Sequence, residues 1–380
     1  MQSVKKTNSA FITDRLQQRR QSDSLRVLKD VTVVNTVQIV YQGQPCINFS
    51  SNDYLGLSQH PAIKQGSIDF VKRYGAGSTA SRLVCGNRDF FGAIETQLAE
   101  LKNTEESLIF SSGYQLNVTL LPALADKDTV ILADRLCHNS LIQGALLSRA
   151  SLFRFRHNEL SHLSDLLKKY TARGKRIIIV TESVFSMDGD CCDIDAIISL
   201  AKLYDALLIV DEAHATGVLG PNGMGLACGK DVDVIMGTFG KGCGVFGAYV
   251  ACSARMKEYL INFCNGFVYT TALPPAVLGG IKAALDIVPD LDAERAHLMT
   301  LSSSLRAGLK KIGVSTGEST TQIIPAIIGK DTEALEAEQW LFSQGYFAIC
   351  IRHPTVEKGQ ARIRLALSSF HTTTQIDGLL

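Results

Sequence analysis

No two of the ten cysteines are spaced C-x-x-C, and none falls at the spacing of a zinc site. A chain of 380 residues without a secretory signal needs no disulfide framework. The thiols are therefore expected to be reduced, as in the cytoplasm. Neither sign of charge is in excess, with 38 Lys and Arg against 37 Asp and Glu. That balance argues against nucleic acid or another polyanion as partner. Long apolar runs are missing too. The longest uncharged stretch, Tyr259 to Ile281, is interrupted by Asn265, Gly266, Pro274 and Pro275, so it does not read as a membrane span. The opening segment, Met1 to Arg20, is basic and lacks the apolar centre of a signal peptide, and reads as a short surface helix.

What is present is an ordinary globular composition, 46% hydrophobic and 20% charged. The length can bury a large core and add a second, smaller domain. Thr129–Asp134, Arg176–Thr181, Ala206–Asp211 and Val232–Met236 are short apolar runs, predicted as strands covered on both faces. Between them, Leu160–Tyr170 and Ile194–Tyr204 place apolar residues three and four apart, the helical period. The alternation predicts βαβ units and a mostly parallel sheet, an α/β architecture. Ligands of such sheets bind beyond the carboxyl ends of the strands, where Asp134, Thr181, Glu182 and Asp211 fall. After Pro289 the pattern changes. Helices are predicted at Leu291–Ile312 and Thr332–Gln344, and strands at Ile323–Ile328, Phe347–Ile351 and Ala361–Leu367, forming a smaller α+β domain. The first fifty residues read as an arm with a strand pair, Thr32–Tyr41 and Cys46–Phe49. The expected division is 1–50, 51–287 and 288–380.

Four clusters carry chemistry at or just past strand ends. Asp211-Glu-Ala-His214 closes an apolar strand with an acid, and a buried acid needs a partner such as a protonated ring nitrogen. Thirty residues later, Gly237-Thr-Phe-Gly-Lys241-Gly-Cys-Gly244 crowds glycines around one lysine. The glycines would let the backbone pass close to a flat cofactor, the lysine would supply an amine for a carbonyl, and Thr238 would donate to a phosphate. Phe110-Ser-Ser-Gly113-Tyr114 opens a helix, whose first N–H groups suit a phosphate. Asp134-Arg-Leu-Cys-His138 puts an imidazole just past a strand, placed to stack on a ring.

Rival readings fail on particular residues. Asp-Glu-Ala-His also spells a helicase box, but a P-loop is missing: Ile235 and Gly242 stand where Gly and Ser or Thr are required around Lys241. Asp188-Gly-Asp190-Cys-Cys192-Asp193 starts like a calcium loop, yet Cys192 replaces an oxygen ligand and Asp193 the turn glycine, so it reads as a solvated turn.

Over nearly the whole chain the motifs match a known family. Ser51-Asn-Asp-Tyr-Leu-Gly-Leu57, Thr181-Glu-Ser-Val-Phe-Ser-Met-Asp-Gly189, Thr238-Phe-Gly-Lys-Gly-Cys-Gly-Val-Phe-Gly247, Ile351-Arg-His-Pro-Thr-Val356 and Arg362-Ile-Arg364 with His371 carry the match. Together they resemble the α-oxoamine synthases, pyridoxal-phosphate acyltransferases. The resemblance implies an aspartate-aminotransferase-like large domain (fold type I) with the smaller C-terminal domain appended. It implies that Lys241 holds pyridoxal 5'-phosphate as a Schiff base and that Asp211 pairs with the pyridine nitrogen. His138 would stack on the ring and meet the substrate, and His214 would bond the phenolic oxygen. Ser186 and Thr238 would help hold the cofactor, with Gly113 and Tyr114 binding its phosphate through the backbone. Thr270 or Thr271 would reach the phosphate of the neighbouring subunit in a homodimer. Arg364, helped by Asn52, would clamp the amino acid's carboxylate, and Arg26 and Thr355 would contact substrate.

The implied reaction is decarboxylative condensation of L-alanine with a pimeloyl thioester, on coenzyme A or a carrier protein, in biotin biosynthesis. A sister activity would use another pair, such as glycine and acetyl-coenzyme A, or make a secondary-metabolite aminoketone. Members of the glycine type read Thr-Leu-Gly-Lys-Ala at the lysine, against Thr238-Phe-Gly-Lys-Gly242 here. A non-catalytic partner subunit of this fold would lack the lysine that this chain keeps. Two positions depart from the family pattern, His353 for a proline and Phe91 for a histidine.

Overall fold

A computed structural model describes residues 8–22 and 24–380. A helix, Asn8–Gln21, precedes the first sheet and buries none of its residues, as a surface helix should; residues 1–7 of the basic opening segment lie outside the described residues. The first sheet begins with β1 (Val31–Val33), β2 (Gln38–Tyr41) and β3 (Gln44–Asn48), antiparallel in that order. The single strand predicted from Thr32 to Tyr41 is therefore two. Asn35 breaks it: its Oδ1 accepts from the N–H groups of Val37 and Gln38, both at 3.0 Å, the turn that asparagine favours.

The central sheet holds β4 (Glu106–Phe110), β5 (Thr129–Asp134), β6 (Ser151–Phe155), β7 (Arg176–Glu182), β8 (Leu207–Asp211), β9 (Val234–Thr238) and β10 (Ala248–Cys252). Their spatial order is β4-β10-β9-β8-β7-β5-β6. The pairs from β9 to β6 are parallel, while β10 runs antiparallel to both its neighbours. Successive side chains of a strand point to opposite faces. Val130, Leu132, Ile177 and Ile179 accordingly join one core with the helices Leu160–Thr171 and Ile194–Leu203. Ile131, Ala133, Ile178 and Val180 join another with Gly113–Leu124 and Asn139–Leu147. Coverage on both faces is why these runs carry no polar alternation. The strand predicted at Val232–Met236 lies two residues later, because the Asp233 side chain accepts from the Leu208 N–H at 2.7 Å and the ladder starts beyond it.

The third sheet is made of β11 (Ile323–Gly329), β13 (Ile349–Ile351) and β14 (Ala361–Ala366), with the short β12 (Tyr346–Phe347) preceding β13. One strand was predicted over Phe347–Ile351. It divides between two sheets: β12 pairs in parallel with Ile47 and Asn48 of β3, while β13 pairs with β14. The arm is thereby stitched to the C-terminal part. Helices Asp292–Lys311 and Asp331–Ser343 complete this region close to their predicted limits. Among the described residues, no helix is long and apolar enough to cross a membrane.

Candidate active site

The parallel strands deliver three acids to one edge. Glu182 and Asp211 end β7 and β8 and are cross-strand neighbours, and Asp134 ends β5 beyond the Ala133–Val180 pair. All three are buried. Asp211 accepts from Asn117 Nδ2 at 2.9 Å through one oxygen and from the Ala213 N–H at 2.9 Å through the other. Asn117 also donates to Ser140 Oγ at 3.0 Å, and Ser140 Oγ lies 2.7 Å from His138 Nδ1. Glu182 accepts from the His138 N–H. Burial, with Asp211 alongside, pushes the Glu182 carboxyl well above the carboxylate range. Burial also lowers the His138 imidazole, against the pull of Asp211.

Lys241 faces these acids. A cleft of about 220 Å³ is lined by Lys241, Asp211, Glu182, His138, His214 and Thr238, with Gly113 and Tyr114 at the mouth of a helix. Burial and the nearby Arg364 bring the Lys241 amine down to about 8, although Asp211 and Glu182 oppose them. Its Nζ lies 2.9 Å from His214 Nε2. The other ring nitrogen of His214 lies 2.6 Å from the Tyr54 hydroxyl. Tyr54 donates to Asn52 Oδ1 at 3.0 Å, and Arg364 Nη1 donates to the same oxygen at 3.2 Å. A continuous chain of polar contacts thus runs from the lysine amine to a buried guanidinium. Burial, then the charges of Lys241 and Arg364, hold His214 far below its usual range, so the ring is neutral.

Residues 44–380 match the family described as aminotransferase class I and II. The 8-amino-7-oxononanoate synthase of Gluconacetobacter diazotrophicus is 48% identical over 93% of this chain and 91% of its own length. Among solved structures, that enzyme from Francisella tularensis is 31% identical, with a TM-score of 0.77 over 88% of this chain and 95% of its own. The chain belongs to the 8-amino-7-oxononanoate synthase family. It is similar in shape to the Sphingomonas wittichii serine palmitoyltransferase, with a TM-score of 0.90, 27% identity, and coverage of 99% and 96%.

Membership in the 8-amino-7-oxononanoate synthase family makes the chain an acyltransferase of PLP fold type I, with pyridoxal phosphate as cofactor. The cleft suits that group. It offers an amine for the aldehyde, an acid facing the same space, and a helix N-terminus with a threonine for an anion. Asn117 Oδ1 is buried there without a protein partner, which marks a polar cavity rather than a packed core.

Two expectations need correction. Two of the four glycines around Lys241, Gly242 and Gly244, serve close approach of the protein's own backbone rather than of a cofactor. A Cβ at Gly242 would lie 2.4 Å from the Thr216 carbonyl oxygen, so only glycine lets the two loops touch. The segment Asp188–Asp193 is not simply a solvated turn, since Asp190 is buried and bonded to His157, and Asp188 pairs with Arg362. Thr270 and Thr271 do not line this chain's Lys241 cleft; they border a separate one with Arg82 and Ser111. Ser186, Asn52 and Arg364 are also outside the lining, but connect to it through His214 and Tyr54. Arg26 meets Thr355 through a 3.2 Å hydrogen bond, away from the lining. Phe91 is core, lying under the Arg82 guanidinium at 4.1 Å, which explains an apolar residue there.

Residues without an assigned role in the sequence also enter. Asn117, Ser140 and Tyr54 hold the Asp211, His138 and His214 side chains. Glu182 was legible only as a strand-end acid.

Proposed function

We propose that the chain condenses L-alanine with a pimeloyl thioester to 8-amino-7-oxononanoate, carbon dioxide and free thiol, in the biotin pathway. The chain of contacts from Lys241 through His214, Tyr54 and Asn52 to Arg364 is the observation that carries this reading. It links the amine that would hold the cofactor to a cation fit for an α-carboxylate.

When bound, pyridoxal phosphate withdraws electrons from the α-carbon of the amino acid. Asp211, bonded by Asn117 and the Ala213 N–H, would hold the proton of the ring nitrogen. His138 would lie against the ring, its imidazole fixed by Ser140. His214 would meet the phenolic oxygen from the nitrogen that now faces Lys241. Thr238, Ser186 and the backbone of Gly113 and Tyr114 would anchor the rest. Arg364 is buried, and its Nε donates to the Ser186 carbonyl at 2.6 Å, so it can present a fixed guanidinium to the amino acid's carboxylate. Lys241, with an amine near 8, is suited to take the α-proton at neutral pH and return it. Arg26, bonded to Thr355, would contact the acyl partner.

A homodimer sharing its sites agrees with the exposure of Leu83, Val84 and Tyr269 beside the Thr270–Thr271 segment. The division at 50/51 agrees with the change from the first sheet to the central one, and that at 287/288 with the change from the central sheet to the third. Mass spectrometry of products tests the substrate assignment. The holoenzyme is offered L-alanine with pimeloyl thioesters of coenzyme A and of carrier protein, and glycine with acetyl-coenzyme A. Preference for the glycine pair would overturn it.

A further inference from the structure

His157 takes no part in the cleft, yet both of its ring nitrogens face carboxylates. Its Nδ1 lies 2.9 Å from Asp134 Oδ1 and its Nε2 lies 2.7 Å from Asp190 Oδ2. A ring that donates to two carboxylates must carry a proton on each nitrogen, so it is an imidazolium. Burial opposes that charge, but the bonds to Asp134 and Asp190 outweigh it and raise the group to about 10. The next residue doubles the link. Asn158 donates its N–H to Asp134 Oδ2 at 3.0 Å and its amide to Asp190 Oδ2 at 2.8 Å.

The element secured in this way is the turn 183–192, whose two arms meet at the Val184–Cys191 bridge. His157 holds one side of it, its ring edge-on to Phe185 at 4.4 Å. The third sheet holds the other. The Thr321 hydroxyl donates to the Gly189 carbonyl at 2.8 Å, and a Cβ on Gly189 would lie 1.9 Å from the Ile323 carbonyl oxygen. Between these anchors the Ser186 carbonyl points to Arg364 and accepts its Nε.

We infer that His157 is a positioning residue for amino-acid binding: clamped between Asp134 and Asp190, it fixes the turn whose Ser186 carbonyl aims Arg364. This rests on reading Arg364 as the carboxylate clamp. A misplaced guanidinium weakens capture of the amino acid while leaving the lysine and its cofactor contacts in place.

The test uses holoenzyme carrying H157Q, whose side chain is neutral and has one donor nitrogen where the imidazolium has two. L-Alanine is titrated alone, and its Kd is read from the cofactor's visible absorbance; kcat and KM for L-alanine follow by steady-state assay. Expected is a rise in Kd and KM of about tenfold with kcat within about threefold of wild type. An unchanged Kd, or a fall in kcat at unchanged KM, overturns the inference. If H157Q does not fold, D190N removes one arm of the clamp and should raise the Kd by about threefold; an unchanged Kd there overturns it equally. R364K separates the two readings. If R364K leaves the Kd unaltered, the clamp reading fails; if R364K raises it and neither His157 nor Asp190 variant does, only the present inference fails.

Discussion

Lys102 Nζ lies 3.2 Å from Glu212 Oε2, and both side chains are wholly shut off from solvent. Glu212 follows Asp211 directly and stands two residues before His214. Its second oxygen accepts from the Ala227 N–H at 2.8 Å, and Lys102 also bonds the Met224 carbonyl and sits 4.9 Å from the Tyr249 ring centre. The pair is thus the foundation of the turn that carries Asp211 and His214 into the cleft, and the role of the glutamate in Asp-Glu-Ala-His is structural. Replacing Lys102 by Met leaves a buried glutamate without its cation. The expected cost is about 3–5 kcal/mol, read from the denaturation midpoint, whereas K102M combined with E212L should cost less than K102M alone. Equal or greater loss in the double variant would contradict this account.

Lys241 must be neutral to add to an aldehyde. With its amine near 8, the rate at which cofactor-free protein captures pyridoxal phosphate should rise with pH and reach half its maximum near pH 8. Stopped-flow absorbance measures it. Borohydride treatment of the holoenzyme followed by peptide mapping should place the cofactor's mass on Lys241, and a label elsewhere would refute the site.

Asp211 and Asn117 act as a unit, joined at 2.9 Å. D211N should fold and bind cofactor but lose about 10²-fold or more in kcat, because the amide is a poorer partner for a protonated ring nitrogen. N117A should show a smaller loss in the same direction. Wild-type turnover by loaded D211N would refute the role.

Val84 and Tyr269, large side chains beside the Thr270–Thr271 segment, are 78% and 82% exposed. Sedimentation of the wild type should show a dimer. V84E should move the protein toward monomer and lower activity in parallel with the dimer fraction. A fully active monomer would exclude a shared site.

His157 is raised in the folded protein, from an ordinary 6.5 to about 10. A raised group stabilises the fold fully below its unfolded value and loses that contribution as pH climbs through its folded value. The difference in urea midpoint between wild type and H157Q should therefore be largest at pH 6 and shrink toward pH 10. A difference that is flat or grows with pH would show that the imidazolium is not what the two acids hold.

Much of this site is legible in the sequence. Asp211, Lys241, His138, His214, Thr238, Gly113 and Tyr114 all line one cleft, because parallel strands bring their carboxyl ends to a single edge and these residues sit at or just past such ends. The buried strands were legible for a similar local reason, since two-face coverage writes an unbroken apolar run. Less of the periphery could be read. Phe347–Ile351 looks like one strand because its β-rich run is continuous, yet its two halves pair in different sheets, and strand pairing is a contact between distant segments.

What the sequence by itself determined is the list of chemical groups and their order along the chain: an acid closing a strand, a lysine thirty residues on, an arginine near the C-terminal end. Local periodicity and chain direction are sufficient for that. Only the tertiary structure decided which groups hold the others. Tyr54 bonds His214 across 160 positions of chain, Asn117 bonds Asp211 across 94, and His157 joins Asp134 to Asp190. These are hydrogen bonds between side chains brought together by folding. Their geometry depends on how distant elements pack, so a pattern along one strand or helix cannot encode it.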